Sequence, residues 1–569
     1  MAGIYDFDAK SLDILLDTIG LKKTWISILA RHLEDKPQLD YILDNKVFQK
    51  AKKIKVDLID GLTIGEIGVL YEYSIARNDS DSRKSNGQFF TPDDVAIYMA
   101  EQAISFGEGI WLDPCSGIGN LSWHLTAIQE NPEEFLRSKL ILSDRDELAL
   151  FIARTLFTVS FQKTRKRLFD EMEKNFVSFD FLSVADSGSL ELFETTPQLS
   201  KIPFHDFVIV NPPYLATDID GRFETSKAGD LYAYFLENII KTSRGFISIT
   251  PQSFTNAGKF ASLRKLLLDN YENLTIYTFD NVPANIFKGI KFGSKNSNQA
   301  NSIRASIIIA REGKGKRRIT SLIRWRSSER NSLFKSLDKF LSDVPLSESF
   351  FPKVSKDYKK LFMSVKDFGT LGDICSTKTT KYSLHVPSAP RYFIPALKKP
   401  VQRASQKTLF FRSSEDRDYA YLLINSSFMY WWWRVRDGGM TLSLETITSL
   451  PLLNFKIDPE IVSALEKSEK TNKVYKQNAG AAQENVKHSK DLMIRVNQSV
   501  IPDYADLLIT LHENSEFLSS IIASNPINTL PIPLQDPILD HVTPDSCGVI
   551  VVLGNDEVEF LLGILGGGR

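Results

Sequence analysis

The stretch DFVIVNPPY, residues 206–214, carries the side chains best suited to chemistry in this chain. An apolar run of four residues has the composition of a β-strand and delivers Asn211, Pro212, Pro213 and Tyr214 to its carboxyl end. Two consecutive prolines offer no backbone N–H, so they stop the strand and leave the Pro212 carbonyl as an acceptor. Together with the Asn211 carbonyl and the flat Tyr214 ring, this set suits a planar amine. The alternative is a proline-rich turn with a packed tyrosine.

An acidic residue and a glycine-bearing turn follow an earlier apolar run. The run ends at Asp113, and the turn contains Gly117 and Gly119 ahead of a helical pattern. Glycines let the backbone approach a ligand, and the N–H groups of a helix start favour negative groups. The pattern is typical of a nucleotide-binding unit, although a plain tight turn would look the same.

Two more β-type runs end in acidic residues. Asp144 follows the second run and Asp180 follows the third. An acidic residue at the end of a second strand commonly binds ribose hydroxyls. The alternatives are that Asp144 or Asp146 only caps a helix, and that Asp180 is an ordinary loop residue.

Four apolar runs that end in polar residues, with helical patterns between them, predict a doubly wound parallel sheet. The chain divides by pattern into four regions. These are a helical region over 1–85, the α/β domain over 86–313, a basic region over 314–455 and a helical extension over 456–569. Within the extension, one long polar helix is predicted over 457–496 and another over 503–524.

Composition bounds the class of protein. The 569 residues are 43% hydrophobic and 24% charged, as in ordinary globular proteins. No run of about 18 apolar residues predicts a membrane span, and the N-terminus lacks a signal-peptide layout, so we expect a cytoplasmic protein. Three distant cysteines argue against a disulfide framework or a cysteine zinc site, and the seven histidines form no HExxH pattern. We therefore predict no membrane partner and no metal.

Charge is unevenly distributed. The net charge is −1, yet residues 311–420 hold 24 Lys and Arg against 11 Asp and Glu. Such an excess, interleaved with aromatic residues, is typical of a surface that faces phosphates. A merely soluble, lysine-rich domain is the alternative.

The motifs occur in the order found in one family. They are GQFFTP, DPCSGIGN, ILSD, FDFL, NPPY, DLYAYFLENI, FISITPQSF and NIFKG, over about residues 85–312. In this order the chain resembles the Class I, S-adenosylmethionine-dependent DNA adenine N6-methyltransferases. Further on, RYFIPALKKPVQ and the stretch from DRDYAYLL to LETITSLPL resemble the target-recognition domain of type II enzymes from restriction–modification systems. The alternative for the three adjacent tryptophans in that stretch is packing in the core, and we favour it for at least one of them.

The resemblance implies a fold, a cofactor and partners. It implies a Rossmann-like Class I methyltransferase domain (α/β) with an N-terminal helical cap, a C-terminal α+β DNA-recognition domain and a helical tail. The cofactor would be S-adenosyl-L-methionine and the substrate double-stranded DNA, with a cognate restriction endonuclease as a candidate partner. The reaction would be methylation of the N6 amine of a flipped-out adenine at a specific site.

The resemblance also assigns roles to residues by position. Asn211 and the Pro212 carbonyl would hold the N6 amine, while Tyr214 and Phe287 would stack on the base. The cofactor would be bound by a larger set, namely Gln88, Phe89, Thr91 and Pro92 at its methionine end, Asp113, Gly117 and Gly119 beneath it, Asp144 at the ribose, and Asp180 with Phe181 at its adenine. Thr91 is also predicted to be the N-cap of the helix that follows Pro92.

Other functions fit the same motif. Protein glutamine methyltransferases of the release-factor type and ribosomal RNA adenine methyltransferases also use it, but they generally lack a basic C-terminal extension. A modification subunit that needs a separate specificity subunit is a second alternative, and a catalytically dead DNA-binding protein is a third. The apparent recognition domain argues against the modification subunit, and the presence of Asn211 and Asp113 argues against the catalytically dead protein.

Overall fold

The computed structural model describes residues 9–78, 91–182, 202–287, 303–390, 393–403, 405–437, 441–478 and 481–512. Gln88 and Phe89 lie outside the described residues. No helix within these ranges is long and apolar enough to cross a membrane.

The N-terminal region is helical, as its apolar spacing predicts. Its helices are α1 (Ala9–Ile19), α2 (Leu21–Glu34), α3 (Asp40–Leu43) and α4 (Ile64–Asn78). Trp25 and Ile28 of α2 are fully buried in a core that also includes Ile152 and Leu156 of the next domain. The cap is therefore packed on the α/β domain through an apolar interface.

A nine-stranded sheet forms the centre of the molecule. Its strands are β1 (Trp111–Asp113), β2 (Leu140–Asp144), β3 (Phe176–Ser178), β4 (Phe207–Val210), β5 (Gly245–Pro251), β6 (Asn273–Phe279), β7 (Ala305–Arg311), β8 (Arg317–Ile323) and β9 (Leu341–Ser342). Their order is β3-β2-β1-β4-β5-β7-β6-β8-β9. The pairs from β3 to β5 are parallel, whereas β7 lies antiparallel between β5 and β6.

Helices cover both faces of the sheet. They are α5 (Asp93–Ala103), α6 (Asn120–Ala127), α7 (Pro132–Ser138), α8 (Glu147–Phe161), α9 (Leu168–Glu171), α10 (Leu231–Thr242) and α11 (Ala261–Asn270). In β4, Phe207 and Ile209 join the core under α5 and α8, while Val208 and Val210 join the core under α10 and α11. All four β4 residues are buried, as expected for a central parallel strand.

The sheet extends beyond the predicted boundary at residue 313. β8 pairs in parallel with β6, and the short β9 pairs antiparallel with β8. The alternation in Arg317–Ile323 buries Ile319 and Ile323 and continues the sheet, so the strand region reaches Ser342.

The C-terminal region is α+β. Its helices are α12 (Arg330–Leu333), α13 (Lys359–Val365), α14 (Leu371–Ile374), α15 (Ser414–Asn425), α16 (Ser427–Arg436), α17 (Leu444–Thr448), α18 (Pro459–Thr471), α19 (Lys490–Val500) and α20 (Ala505–Ile509). Two antiparallel pairs join β10 (Ser383–Pro387) to β11 (Gln406–Phe410) and β12 (Lys473–Asn478) to β13 (Ala481–Val486).

The single long helix predicted over 457–496 is wrong. α18 ends at Thr471, the β12–β13 hairpin follows, and α19 begins at Lys490. The turn formers Asn478 and Gly480, preceded by the β-branched Val474 and the aromatic Tyr475, favour a hairpin over a continuous helix. The second predicted helix is a short one, α20, and residues from 513 onward lie outside the described part of the chain.

The adjacent tryptophans are core residues. Trp431, Trp432 and Trp433 lie on α16 and are 2%, 4% and 1% exposed. The indole N–H of Trp432 donates to Ser449 Oγ (3.1 Å) and that of Trp433 to the Thr441 carbonyl (3.3 Å). None of the three therefore offers a ring face to a nucleic acid.

Candidate active site

The predicted site residues gather at the carboxyl edge of the sheet. β1 lies between β2 and β4, so Asp113, Asp144 and Asn211 follow three neighbouring parallel strands. In an open α/β sheet, this edge is where ligands bind.

The turn after β1 requires glycine. Gly117 and Gly119 have φ of 54° and 85°. A Cβ on Gly119 would come within 2.8 Å of the Phe157 ring, because the turn packs tightly on α8. A Cβ on Gly117 would meet no atom within 4 Å, so the described structure leaves space above this residue.

Asp113 lies under this turn and is 1% exposed. One carboxylate oxygen accepts a hydrogen bond from the Ser122 hydroxyl (2.8 Å), and Oδ1 has no partner among the described residues. Burial raises the pKa of Asp113 to about 7 and the charge of Asp144 contributes in the same direction, whereas hydrogen bonding from Ser122 and from the Cys115 backbone N–H opposes the shift. A buried acceptor without a donor is costly, so this oxygen is suited to a ligand that brings a donor or a positive charge.

Asp144 and Asp146 have different roles. Asp146 is the N-cap of α8 and accepts from the N–H groups of Leu148 (2.9 Å) and Ala149 (3.3 Å). Asp144 accepts instead from the N–H of Gly117 (2.7 Å) and of Asp146 (2.9 Å). Burial raises the pKa of Asp144, although these N–H groups oppose the shift. Asp144 therefore holds the glycine turn against the end of β2.

The Asn211 side chain is fixed on both sides of its amide. Its Nδ2 donates to Thr91 Oγ1 (2.9 Å), and its Oδ1 accepts from the Tyr214 hydroxyl (2.6 Å). The Tyr214 hydroxyl also lies 2.9 Å from the Ile249 carbonyl at the end region of β5. The main-chain carbonyl of Asn211 accepts from the Cys115 thiol (3.2 Å). These contacts join the segment before α5 to the motif after β4.

Aromatic rings surround Tyr214. Phe287 lies 6.2 Å away with the ring planes at 62°, and Tyr232 lies 6.4 Å away at 86°. Phe287 is 2% exposed, whereas Tyr214 is half-buried. In this arrangement Tyr214 offers the more accessible ring, and Phe287 forms a wall beside it.

The segment that starts α5 differs slightly from its prediction. α5 begins at Asp93 with Pro92 at the N-cap position, so Thr91 is not the cap. The Thr91 hydroxyl accepts instead from Asn211, and its carbonyl accepts from Asn120 Nδ2 (2.7 Å). The Thr91 side chain therefore contacts Asn211 in the site and does not cap α5.

Asp180 and Phe181 follow β3. Asp180 Oδ1 accepts from the N–H of Leu182 (3.0 Å). The Phe181 ring is 1% exposed and stacks on Phe235 of α10 at 5.3 Å, so it supports the segment from within the core.

Three contacts were missed by the sequence reasoning. They are those of Ser122 to Asp113, of Asn120 to Thr91 and of Cys115 to Asn211. Polar residues in the first turn of the helix after a glycine motif are a signal that could have found Asn120 and Ser122. Nothing in the sequence indicates that the Cys115 thiol faces a carbonyl 96 residues away.

The strand order β3-β2-β1-β4-β5-β7-β6, with β7 antiparallel, is that of the class I S-adenosylmethionine-dependent methyltransferases. The acidic residues after β1 and β2 and the Asn-Pro-Pro-Tyr motif after β4 occupy its ligand-binding edge. The predicted α/β fold class is confirmed.

Residues 138–287 match the family described as the Eco57I restriction-modification methylase. The chain is also 28% identical over 214 residues to the type II methyltransferase M.PstI of Providencia stuartii. This match covers 36% of this chain and 40% of that relative. The predicted resemblance to restriction–modification methylases is thus confirmed for this part of the chain.

Parts of the chain also match solved structures. A type I restriction–modification methyltransferase subunit from Streptococcus thermophilus is 20% identical, with a TM-score of 0.32, and the match covers 53% of this chain and 64% of that one. The type IIG restriction endonuclease BpuSI is 11% identical, with a TM-score of 0.37, and the match covers 90% of this chain and 78% of that one.

Proposed function

We propose that this protein transfers a methyl group from S-adenosyl-L-methionine to the N6 amine of an adenine in double-stranded DNA, as the modification enzyme of a restriction–modification system. The observation that carries the proposal is the Asn211 side chain, held between Thr91 and Tyr214 at the end of β4. The match of residues 138–287 to the Eco57I methylases supports the same reaction.

The residues at the ends of β1 and β2 fit the cofactor. The space above Gly117 and the unpartnered Oδ1 of Asp113 suit a ligand that carries positive charge. Asp113, Gly117 and Gly119 would lie beneath its methionine portion, Asp144 would contact the ribose and Asp180 the adenine. When bound, S-adenosylmethionine supplies an electrophilic methyl group on a sulfonium. Thr91 and Pro92 would line the methionine end; Gln88 and Phe89, predicted for the same end, lie outside the described residues.

Asn211 and Pro212 would act on the target amine. The lone pair of adenine N6 is delocalised into the ring, so the amine is a poor nucleophile. If Asn211 Oδ1 and the Pro212 carbonyl accept its two N–H groups, the lone pair is directed toward the methyl donor. Because Thr91 and Tyr214 already orient the Asn211 amide, little reorganisation is needed, and alignment of this kind accounts for much of an enzyme's rate enhancement.

Tyr214 would bind the face of the extrahelical base. Extruding a base from a duplex costs a few kcal/mol, and each base–aromatic contact returns roughly 1–3 kcal/mol. Phe287 would close the pocket from the side, since it packs against Tyr214.

The basic region would bind DNA, with fewer surface charges than its composition indicates. Arg324, Arg330 and Lys353 are buried and pair within the protein. Exposed basic residues remain beside the β10–β11 pair, namely Lys378, Lys381, Lys407 and Arg412. Phosphate contacts from such residues would give a salt-dependent affinity without sequence preference.

The test is the identity of the methylated product. Purified protein is incubated with methyl-labelled S-adenosylmethionine and unmethylated genomic DNA, and the DNA is then digested to nucleosides and separated. The proposal expects label only in N6-methyldeoxyadenosine, and sequencing of the same DNA would give the recognition site. Label in a methylated cytosine, or in added RNA or release factor but not in DNA, would refute it.

A further inference from the structure

A single buried arginine joins the two sides of the site. Arg330 lies at the start of α12, in the region predicted to recognise DNA, and is 7% exposed. Its guanidinium binds both carboxylate oxygens of Asp94, with Nη2 2.9 Å from Oδ1 and Nε 2.5 Å from Oδ2. It also donates to the carbonyls of Asn285 (3.1 Å) and Ile286 (2.9 Å).

One partner belongs to the cofactor side. Asp94 is in the first turn of α5, three residues after Thr91, which contacts both Asn211 and Asn120. Because the Arg330 fork grips the Asp94 carboxylate in a bidentate manner, it fixes both position and direction of this turn.

The other partners belong to the base side. Ile286 directly precedes Phe287, the ring beside Tyr214, and the Phe287 N–H donates to Asn285 Oδ1 (2.8 Å). The two carbonyls that Arg330 binds therefore set where the Phe287 ring lies. No lysine could hold these partners together, since its ammonium lacks the planar fork.

The loop over 280–287 is fixed at its other end by a separate cluster. Asp280 is bound by Arg304 (3.0 Å), Arg324 (3.3 Å) and Arg434 (3.1 Å). That cluster contacts β8 and α16, whereas Arg330 contacts the α5 segment. With its start anchored there, the loop can transmit a shift of the α5 segment to Phe287 through Arg330.

We propose that Arg330 is a positioning residue that couples cofactor binding to retention of the extrahelical base. A cofactor that fixes the position of Thr91 also fixes that of Asp94, three residues later. Through its bonds to Asp94 and to the backbone before Phe287, Arg330 then fixes the position of the Phe287 ring. By linkage, a base held beside Phe287 strengthens cofactor binding by the same factor. The inference rests on the proposed function, because it requires a base in that pocket.

The test uses a short duplex that carries the mapped recognition site with 2-aminopurine in place of the target adenine. S-adenosylhomocysteine is the cofactor probe. For the wild-type protein, fluorescence should rise when the duplex binds and rise further with S-adenosylhomocysteine. In Arg330→Gln the cofactor-dependent rise should vanish, while affinity for S-adenosylhomocysteine alone stays within about threefold and kcat falls on the order of 100-fold, as for a misplaced catalytic group.

Two further variants separate positioning from folding. Asp94→Asn keeps the shape of the partly exposed carboxylate but breaks the ion pair, so it should lose the same cofactor effect. Arg317→Gln is the matched control, because Arg317 also binds two carbonyls, those of Tyr271 and Leu268, but at the amino end of β8. It should lower the melting temperature and leave the cofactor effect intact.

The outcomes distinguish the two proposals. If the wild-type protein methylates no DNA, the proposed function and this inference both fail. If the wild-type protein methylates DNA, a full cofactor-dependent rise in folded Arg330→Gln or Asp94→Asn overturns the inference alone. Loss of the effect in Arg317→Gln as well would assign it to general stability and also overturn the inference.

Discussion

Two buried carboxylates at the same edge of the sheet have opposite surroundings. Asp280, after β6, is 3% exposed and is bound by three arginines. Burial raises the pKa of Asp280, but Arg434, Arg324 and Arg304 together lower it below its ordinary value. Asp113, the last residue of β1, is equally buried, and the described groups that shift its pKa are Ser122, Asp144 and the Cys115 N–H, with no cation among them.

The difference distinguishes structure from function. A buried charge destabilises a protein unless it is paired. Asp280 is paired by side chains of this chain and so joins β6, β8 and α16. Asp113 has no such cation beside it, and burial raises its pKa to about 7. Under the proposed function, the positively charged cofactor would compensate its ionised form. Of the four predictions that follow, the first three test this contrast and the fourth tests the neighbouring Asn211 site; they run from the largest expected effect to the smallest.

Asp280→Ala should destabilise the fold most. It leaves three arginines without their carboxylate, and breaking a buried ion pair typically costs about 3–5 kcal/mol. Urea denaturation followed by circular dichroism measures the free energy of unfolding. Asp269→Ala, which removes an exposed partner of Lys265, is the control and should cost under about 1 kcal/mol. Equal losses of unfolding free energy in Asp280→Ala and Asp269→Ala would contradict the structural role of the Asp280 ion pairs.

Asp113→Asn should fold and should bind the cofactor more weakly. Loss of the charge should weaken affinity for S-adenosylhomocysteine about 10- to 100-fold, since a hydrogen bond to a charged group contributes about 1.5–3 kcal/mol. Calorimetric titration measures this affinity. Asp206→Asn is the control, because Asp206 accepts from the Ile110 N–H (2.9 Å) at the opposite edge of the sheet. Unchanged affinity in Asp113→Asn would contradict the assignment.

The stability of the cofactor-free protein should depend on pH through Asp113. Its pKa is about 7 when folded, well above the ordinary value of 3.8, so the folded state binds the proton more tightly. The resulting stability is present at low pH and is lost as pH rises through about 7. Between pH 5.5 and 8 the wild-type protein should lose about 2 kcal/mol relative to Asp113→Asn. Parallel stability curves for the two proteins would show that Asp113 does not titrate in this range.

Tyr214→Phe should have the smallest effect. It keeps the ring but removes the hydroxyl that contacts Asn211 Oδ1 and the Ile249 carbonyl. One such hydrogen bond contributes about 1 kcal/mol, so single-turnover methylation should slow by roughly five- to tenfold. Tyr214→Ala should slow it further, because the ring is lost as well. A Tyr214→Phe enzyme slower than Asn211→Ala would reverse the roles assigned to the two residues.

The sequence predicted the α/β domain well because its signals are local. Most strands of this domain are short and largely apolar runs. Asp113 and Asp144 end β1 and β2 and Asn211 directly follows β4, so strand order alone brings the three together. The sequence could not tell which of Asp144 and Asp146 caps α8, because both precede this helix. The hydrogen bonds show that Asp146 caps it and that Asp144 binds the Gly117 N–H instead.

The C-terminal half was predicted poorly because its signals are not local. The β12–β13 hairpin has a polar sequence that also fits a helix, and pairing between Lys473 and Val486 decides it. Net charge overstated the basic surface of this region, since Arg324 and Arg330 are buried and bind other residues of the protein. The contacts of Arg330 span 236 residues and could not be found from spacing.

The most direct measurement compares binding and methyl transfer in one variant. Asn211→Ala leaves Asp113, Asp144 and the glycine turn in place, so it should bind S-adenosylhomocysteine with wild-type affinity. In a single-turnover assay with methyl-labelled S-adenosylmethionine and DNA, it should transfer no detectable label, whereas the wild-type protein labels adenine N6. Transfer at the wild-type rate by Asn211→Ala would contradict the assignment of Asn211 as the residue that holds the target amine.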